Sequence, residues 1–294
     1  MTPTEIQAVL QEIGGRPNKK LGQHFLIDTS TLQAIVDAAE IRKGDRILEI
    51  GPGLGVLTDA LIAKGAEVVA VEMDQRFVTY LASVIPTAVE ESLLSKKGSF
   101  GYAQYDRKNV FLIQGDAAKM NWEDVVGGGE WKFVSNLPYS ITSLAIRKAL
   151  WAHNTPTKAV VLIQKEVADR ILARDGKGSL LSLMVALSCT SVRRVKKVSR
   201  GAFYPPPKVE SAVLEMTPMS WDERIQKYGL HPDEIMKVAK RGFSHPRKML
   251  ASNLGISKSI LEEVGVTGNA RSEDLSPDDW VELAKHIKNP HTLR

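Results

Sequence analysis

Asp45-Arg46-Ile47-Leu48-Glu49-Ile50 runs straight into Gly51-Pro52-Gly53-Leu54-Gly55, and the chain then continues in helical period as VLTDALIAKG. Glycine lets the backbone turn sharply at a strand end and lie close against whatever meets the turn. The next segment, AEVVAVEMD, is apolar without polar alternation, as expected of a strand covered on both faces, and QRFVTYLASVI after it is helical. NVFLIQGD, EWKFVSN and TKAVVLIQ read as further strands, with SITSLAIRKALW and KEVADRILA as helices. Repeated strand–helix units with apolar strands predict an α/β chain, built on an open, mostly parallel sheet with helices on both faces.

The flanking segments differ. MTPTEIQAVLQEIGG predicts a short amphipathic helix and, because it carries acids, not a signal peptide. TSTLQAIVDAAEI is a helix that Asp28 or Thr29 can cap. Residues 86–108 are long for an α/β connection and predict a surface insertion. KVESAVLEMTP alternates like a strand. From about Ser220 the texture becomes helical segments parted by Gly, Pro and Ser, which divides the chain into a domain over 1–218 and a small all-helical domain over 219–294. One cysteine, Cys189, excludes an internal disulfide and a cysteine-built zinc cluster, and no metal is expected. No apolar run reaches the roughly 18 residues of a membrane span. A cytoplasmic monomer without membrane contact is the expectation.

The glycines are spaced G-x-G-x-G, one residue short of the dinucleotide fingerprint. Two acids add to them. Glu72 ends the second strand, 23 residues after Glu49, where a carboxylate accepts both ribose hydroxyls. Asp116 ends the third strand in QGDAA, where it can accept from an exocyclic amine such as adenine N6. Either acid alone is as readily a helix cap or a turn former. At successive strand ends, glycine loop and acids define one crevice at the carboxyl edge of the sheet, suited to an adenosine-containing cofactor. With no GKS or GKT for phosphates, a nicotinamide dinucleotide and S-adenosylmethionine stay open.

SNLPYS closes the fourth strand. Asn136 brings a side-chain acceptor, Pro138 fixes the backbone so that a neighbouring carbonyl points in a set direction, and Tyr139 offers a π-face for a base. The bland reading is a turn with a core tyrosine. Two acceptors beside a stacking ring also suit a purine amine, whose lone pair must be turned out of the ring before it attacks a methyl group.

Eight blocks occur in order and at fitting intervals: KKLGQHFLID (19–28), EIGPGLGVLT (49–58), VEMD (71–74), QGDAA (114–118), NLPYSI (136–141), QKEVADR (164–170), FYPPPKVESAV (203–213) and FSHPRKMLASNL (243–254). On these blocks the chain resembles the ribosomal RNA adenine N6-dimethyltransferases that modify small-subunit rRNA, from about residue 17 to the C-terminal helices. The resemblance implies a Rossmann-like S-adenosylmethionine-dependent methyltransferase sheet followed by a small C-terminal all-helical domain. It implies that Gly51, Gly53 and Gly55 line the methionine side of S-adenosylmethionine and that Glu72 takes the ribose, with Met73 beside it. Asp116 and Ala117 meet the cofactor adenine. Asn136, Leu137, Pro138 and Tyr139 form the catalytic set that holds the target adenine, with Phe203 stacking from the other side. Gln23, His24 and Leu26 match the segment that closes over the cofactor; the commonest form of the family has asparagine where this chain has His24.

Arg193, Arg194, Lys196, Lys197, Arg200 and Lys208 form a run with no acid among the charged residues of 193–208, Lys240, Arg241, Arg247 and Lys248 flank GFSHP, and Lys19 and Lys20 precede the N-terminal loop. A net charge of +5 is weak by itself. Bracketing the elements proposed for the base, these runs point to RNA phosphates, with Lys208, Arg247 and Lys248 as substrate contacts. The expected partner is small-subunit rRNA within a pre-assembled small ribosomal subunit, and the expected product N6,N6-dimethyladenosine at two adjacent adenines. A large-subunit rRNA adenine methyltransferase, a non-catalytic RNA-binding assembly or transcription factor on the same fold, and an NAD-dependent dehydrogenase are the alternatives. The last leaves NLPY and the basic runs unexplained.

Overall fold

The structure is a computed structural model and describes residues 1–15, 17, 23–85, 104–107, 109–173 and 177–288. It opens with α1 (Pro3–Glu12), whose capping box joins Thr2 and Glu5 and whose Ile6 and Leu10 are buried. β1 (Phe25–Leu26) and α2 (Thr29–Ala38) follow. Asp28, not Thr29, caps α2 by accepting the Thr31 amide at 2.9 Å. The alternating units are β2 (Arg46–Ile50), α3 (Val56–Ala63), β3 (Glu67–Glu72), α4 (Gln75–Val84), β4 (Gln104–Arg107), β5 (Val110–Gln114), α5 (Trp122–Val126), β6 (Lys132–Asn136), α6 (Thr142–Leu150), β7 (Lys158–Gln164) and α7 (Lys165–Ile171). Then come α8 (Leu180–Ser188), β8 (Cys189–Val198), β9 (Phe203–Tyr204) and β10 (Ser211–Pro218), and finally α9 (Trp221–Tyr228), α10 (Pro232–Gly242), α11 (Leu250–Leu254), α12 (Lys258–Glu263) and α13 (Pro277–Lys288).

Among the described residues eight strands form one sheet, in the order β4-β5-β3-β2-β6-β7-β10-β8. The pairs β5–β3, β3–β2, β2–β6 and β6–β7 are parallel. The chain travels outward from β2 through β3 to β5, then returns to the other side of β2 at β6. The reversal opens a crevice at the carboxyl ends of β2 and β6, where ligands bind in sheets of this kind. Register brings Ile50 level with Val71, Glu72 with Gln114, and Asn136 with Leu162, so the loops after these strands emerge at one edge. The strands bury Ile47, Val68, Leu112, Val134 and Val160 together with Ile35 of α2 and Leu61 of α3.

Two departures from the sequence reading concern the sheet. Of the insertion expected at 86–108, residues 104–107 form β4, antiparallel to β5; the others lie outside the described residues. β10, whose alternation predicts one exposed face, is buried from Ser211 to Met216 because it lies between β7 and β8. Its Glu215 survives there beside Lys158, at 3.7 Å, and Arg193. A buried carboxylate is tolerated when cations pair with it.

The chain divides into two compact units, one of Met1–Ala168 with Arg193–Pro218, the other of Asp169–Val192 with Met219–Arg294. A single cut after residue 218 therefore misassigns Asp169–Val192. The reason is α8, which is apolar nearly all round and buries Leu183, Met184, Val185 and Leu187. In the helical unit it packs on α10 and α13. Cys189, at its end, is buried, and burial pushes its thiol up to about 12.

Gly242 lets α10 meet its neighbours closely, since a Cβ there would stand 2.5 Å from the Trp280 ring and 2.9 Å from Leu250 Cδ1. Gly242→Ala is expected to lower stability by about 1–3 kcal/mol, the usual cost of overpacking. Urea unfolding followed by tryptophan fluorescence reads it, and an unchanged midpoint would mean that the helices part at no cost.

Candidate functional site

A cavity opens at the carboxyl edge of the sheet, lined from the strap before α2, the glycine loop, the ends of β3, β5 and β6, and β9. Gly51 and Gly53 both lie at positive φ, 72° and 59°. A Cβ on Gly51 would stand 3.1 Å from the Pro138 ring, so the glycine lets the β2 and β6 loops close on each other. Ser135 Oγ, fully buried on β6, donates to the Ile50 carbonyl at 2.7 Å and locks the two strand ends together.

Glu72 is buried, and its carboxylate accepts three backbone amides: Gly53 at 3.1 Å, and Met73 and Asp74 at 2.8 Å each. Burial raises its pKa and these bonds oppose the rise. The glycine loop is thereby tied to the end of β3 by the side chain expected to take the ribose. Asp116 caps the next turn, accepting the Ala118 amide at 2.9 Å. The carbonyl of Ala117 is held by Trp122 Nε1 at 2.9 Å and by Lys148 Nζ at 3.2 Å, so α5 and α6 steady the turn from behind.

On β6 the Asn136 amide nitrogen donates to the His24 carbonyl at 3.5 Å, and its Oδ1 has no partner among the described residues. Of the two carbonyls flanking the proline ring, that of Pro138 is taken by the Ile141 amide at 3.1 Å and the Thr142 hydroxyl at 3.4 Å. The Leu137 carbonyl has no partner among the described residues. Two acceptors, Asn136 Oδ1 and Leu137 O, thus remain at the cavity. Tyr139 opens a short 3₁₀ turn and is half-buried; its hydroxyl shares a 2.6 Å hydrogen bond with buried Ser211, and burial raises its pKa.

The cavity brings together Gln23, His24, Leu26, Gly51, Gly53, Glu72, Met73, Asp116, Ala117, Asn136, Leu137, Pro138, Tyr139 and Phe203. Four expected residues stand elsewhere. Gly55 is the N-cap of α3, and its missing Cβ faces Leu81 at 2.7 Å, so it serves helix packing and not the cavity wall. Lys208 is exposed outside the lining, and Arg247 and Lys248 are exposed in the turn between α10 and α11 of the helical unit. Phe203 does reach the wall, but with only 2 % exposure it is packed into the core and does not stand free as a stacking ring. In the basic run, Arg193 pairs with Glu215 and Lys196 with Asp28 at 3.4 Å: the missing acids come from other parts of the chain. Lys19 and Lys20 lie outside the described residues.

Phe25, Phe77 and Glu49 are among the wall residues that the sequence did not single out. Phe25 and Phe77 meet edge to face at 5.6 Å and carry the weight of α1 through Ile6 and Leu10. Glu49 is buried at 1 % exposure with Thr58 Oγ1 at 2.7 Å. Its signal was present, an acid inside the apolar run RILEI.

The residues fit a cationic adenosine cofactor on observations of this chain: two glycines at positive φ in the cavity wall, acceptors at the β6 end without partners among the described residues, and buried acids along the wall. The sheet order and the acids at its strand ends define the class, an S-adenosylmethionine-dependent methyltransferase. The chain belongs to the ribosomal RNA adenine dimethylase family, which it matches over residues 14–289. It is 35 % identical over 285 residues to the ribosomal RNA small subunit methyltransferase A of Dehalococcoides mccartyi, covering 94 % of this chain and 90 % of that one. A dimethyladenosine transferase from Plasmodium falciparum superposes with a TM-score of 0.68 at 26 % identity, over 88 % of this chain and 96 % of that one. The 23S rRNA methyltransferase ErmE shares the fold, at 24 % identity and a TM-score of 0.63, over 90 % of this chain and 100 % of that one.

Burial, with Asp59 and Glu72 nearby, pushes the Glu49 carboxyl up from 4.5 to about 8. Between those values the folded state holds a proton that the unfolded state has lost, so stability falls as pH rises from 4.5 towards about 8. Glu49→Gln, which cannot ionise, is expected to flatten this fall. Thermal midpoints of both proteins across that range check it; parallel curves would show that Glu49 is not the group responsible.

Proposed function

We propose that this protein transfers methyl groups from S-adenosylmethionine to N6 of adenines in small-subunit rRNA. Two successive transfers to each of two adjacent adenines give N6,N6-dimethyladenosine, and the substrate is rRNA within a pre-assembled small subunit. The observation that carries the reading is that one cavity is shared by Glu72 and Asp116, suited to the cofactor's adenosine, and by Asn136, Leu137 and Tyr139, suited to a second adenine. The small-subunit assignment draws further support from the 35 % identical relative. The protein works in the cytoplasm as a monomer.

S-adenosylmethionine supplies an electrophilic methyl group on a positively charged sulfur. The remaining work belongs to the chain. Asn136 Oδ1 and Leu137 O accept the two hydrogens of the target N6, which turns the nitrogen lone pair out of the ring plane and towards the methyl group. As the nitrogen gains positive charge, both oxygens lie where that charge develops, and they need no reorganisation. Tyr139 holds the base by stacking, its ring fixed through Ser211. An adenine paired inside a helix could not reach these atoms, so the base must be single-stranded or everted. No general base is required, because the proton becomes acidic once the nitrogen is alkylated. Lys208, Arg247 and Lys248 meet RNA phosphates.

The assay is incubation with labelled S-adenosylmethionine and, separately, small and large ribosomal subunits lacking the modification, followed by mapping of the methylated nucleotides. Label confined to adenines of small subunits is expected; label confined to large subunits would replace the small-subunit reading, and none in either would remove the activity. Asn136→Ala should lower kcat about a hundredfold or more, the scale set by deleting one preorganised polar contact to developing charge. S-adenosylhomocysteine affinity should change little, and near-normal turnover would remove Asn136 from the chemistry. Neutralising both Arg247 and Lys248 should weaken RNA binding and reduce the slope of log K against log salt by about 2. A filter-binding series from low to high salt reads that slope, and no change would take both residues out of the interface.

A further inference from the structure

The strap that borders the cofactor half of the cavity and the segment that borders the target half are held to each other by an unusually short element. β1 and β9 each contribute two residues, Phe25 opposite Tyr204 and Leu26 opposite Phe203. A two-stranded ribbon of this size has little stability of its own and depends on further ties. On one side these are the Ile27 and Asp28 amides, which both donate to the Ala202 carbonyl, at 2.9 and 3.3 Å. On the other side the tie is His24, whose Nδ1 lies 2.8 Å from the Pro205 carbonyl. A carbonyl only accepts, so Nδ1 carries the proton and the partner sets the tautomer.

His24 touches more than the proline loop. Its ring centroid stands 5.8 Å from that of Tyr139 with 32° between the planes, and its own carbonyl accepts the Asn136 amide at 3.5 Å. Its neighbour Gln23 donates to Asp74 at 3.0 Å, next to the Glu72 end of β3. One residue therefore links the cofactor strap to Asn136, to the Tyr139 ring and to the backbone that runs from Phe203 into Lys208.

We propose that His24 is a positioning residue that couples the two halves of the site, so that filling the cofactor half orders the Phe203–Lys208 segment and the Tyr139 ring for the target base. The inference rests on the cofactor reading above. A ligand that contacts Gln23 to Leu26 restrains the strap, and through the imidazole N–H that restraint passes to the Pro205 carbonyl. An asparagine at this position retains a donor but has no ring to lay against Tyr139.

The test combines calorimetric titration of S-adenosylhomocysteine with hydrogen exchange of the segment 199–210, on the full chain and on His24→Ala, His24→Phe and His24→Asn. In the unaltered protein the ligand should slow exchange in 199–210. His24→Ala should bind the ligand about five- to tenfold more weakly, the scale of one lost neutral hydrogen bond, and bound ligand should no longer slow exchange there. His24→Phe keeps a ring without a donor and should resemble the alanine variant, whereas His24→Asn should recover part of the protection. Equal slowing in the unaltered protein and in His24→Ala overturns the coupling while leaving the cofactor reading intact. Failure of S-adenosylhomocysteine to bind the unaltered protein overturns both.

Discussion

Parallel pairing of β2 with β3 on one side and with β6 on the other is the constraint on which the site depends. It makes the chain move away from β2 on one side, through β3 to β5, and return on the other side at β6, so that the loops after β2 and β6 diverge above a gap. The gap is kept narrow by contacts that tolerate little change: a buried serine bridging the strand ends at 2.7 Å, and a glycine whose Cβ would stand 3.1 Å from a proline ring. Widening it would separate the glycine loop from Asn136, and the two halves of the cavity would no longer share a wall.

That geometry is maintained against an electrostatic cost. Glu49 and Glu72 sit within the wall, almost without solvent; burial makes both harder to ionise, and Glu72 adds to the cost at Glu49. Glu72 is held by three backbone amides, and that outlay gives the glycine loop a fixed position before any ligand arrives. Among the described residues Glu49 has one partner, the Thr58 hydroxyl. A wall of this character favours a ligand that brings positive charge, which is what distinguishes a sulfonium donor from a phosphate-rich nucleotide at the same sheet edge.

The helical unit illustrates a different dependence. Its residues from 219 onward announce themselves by Gly, Pro and Ser between amphipathic runs, yet it is incomplete without α8, which comes from within the preceding region of the chain. A helix that is apolar all round looks the same in sequence as a segment of sheet core. Only its neighbours α10 and α13 reveal what it was apolar for.

Much was therefore legible in the chain itself. Strand–helix alternation, the glycine turn and the acids at the ends of β3 and β5 are local, since periodicity and backbone freedom are properties of neighbouring residues. So is the NLPY turn, whose proline and asparagine act over a few bonds. The rest depended on long-range contact, for which sequence carries no direct signal. Gly55 belongs to the same loop as Gly51 and Gly53, but its φ of 83° turns it towards Leu81. Phe203 is an aromatic in the expected place, but β1 and the core cover it. The basic run lacked acids only along the chain; folding delivers Glu215 and Asp28 to it. Sequence alone determined which residues were available to a methyl-transfer site, because their chemistry and local turns are intrinsic. Tertiary structure alone decided which of them share a cavity, because burial and pairing are set by partners tens to hundreds of residues away.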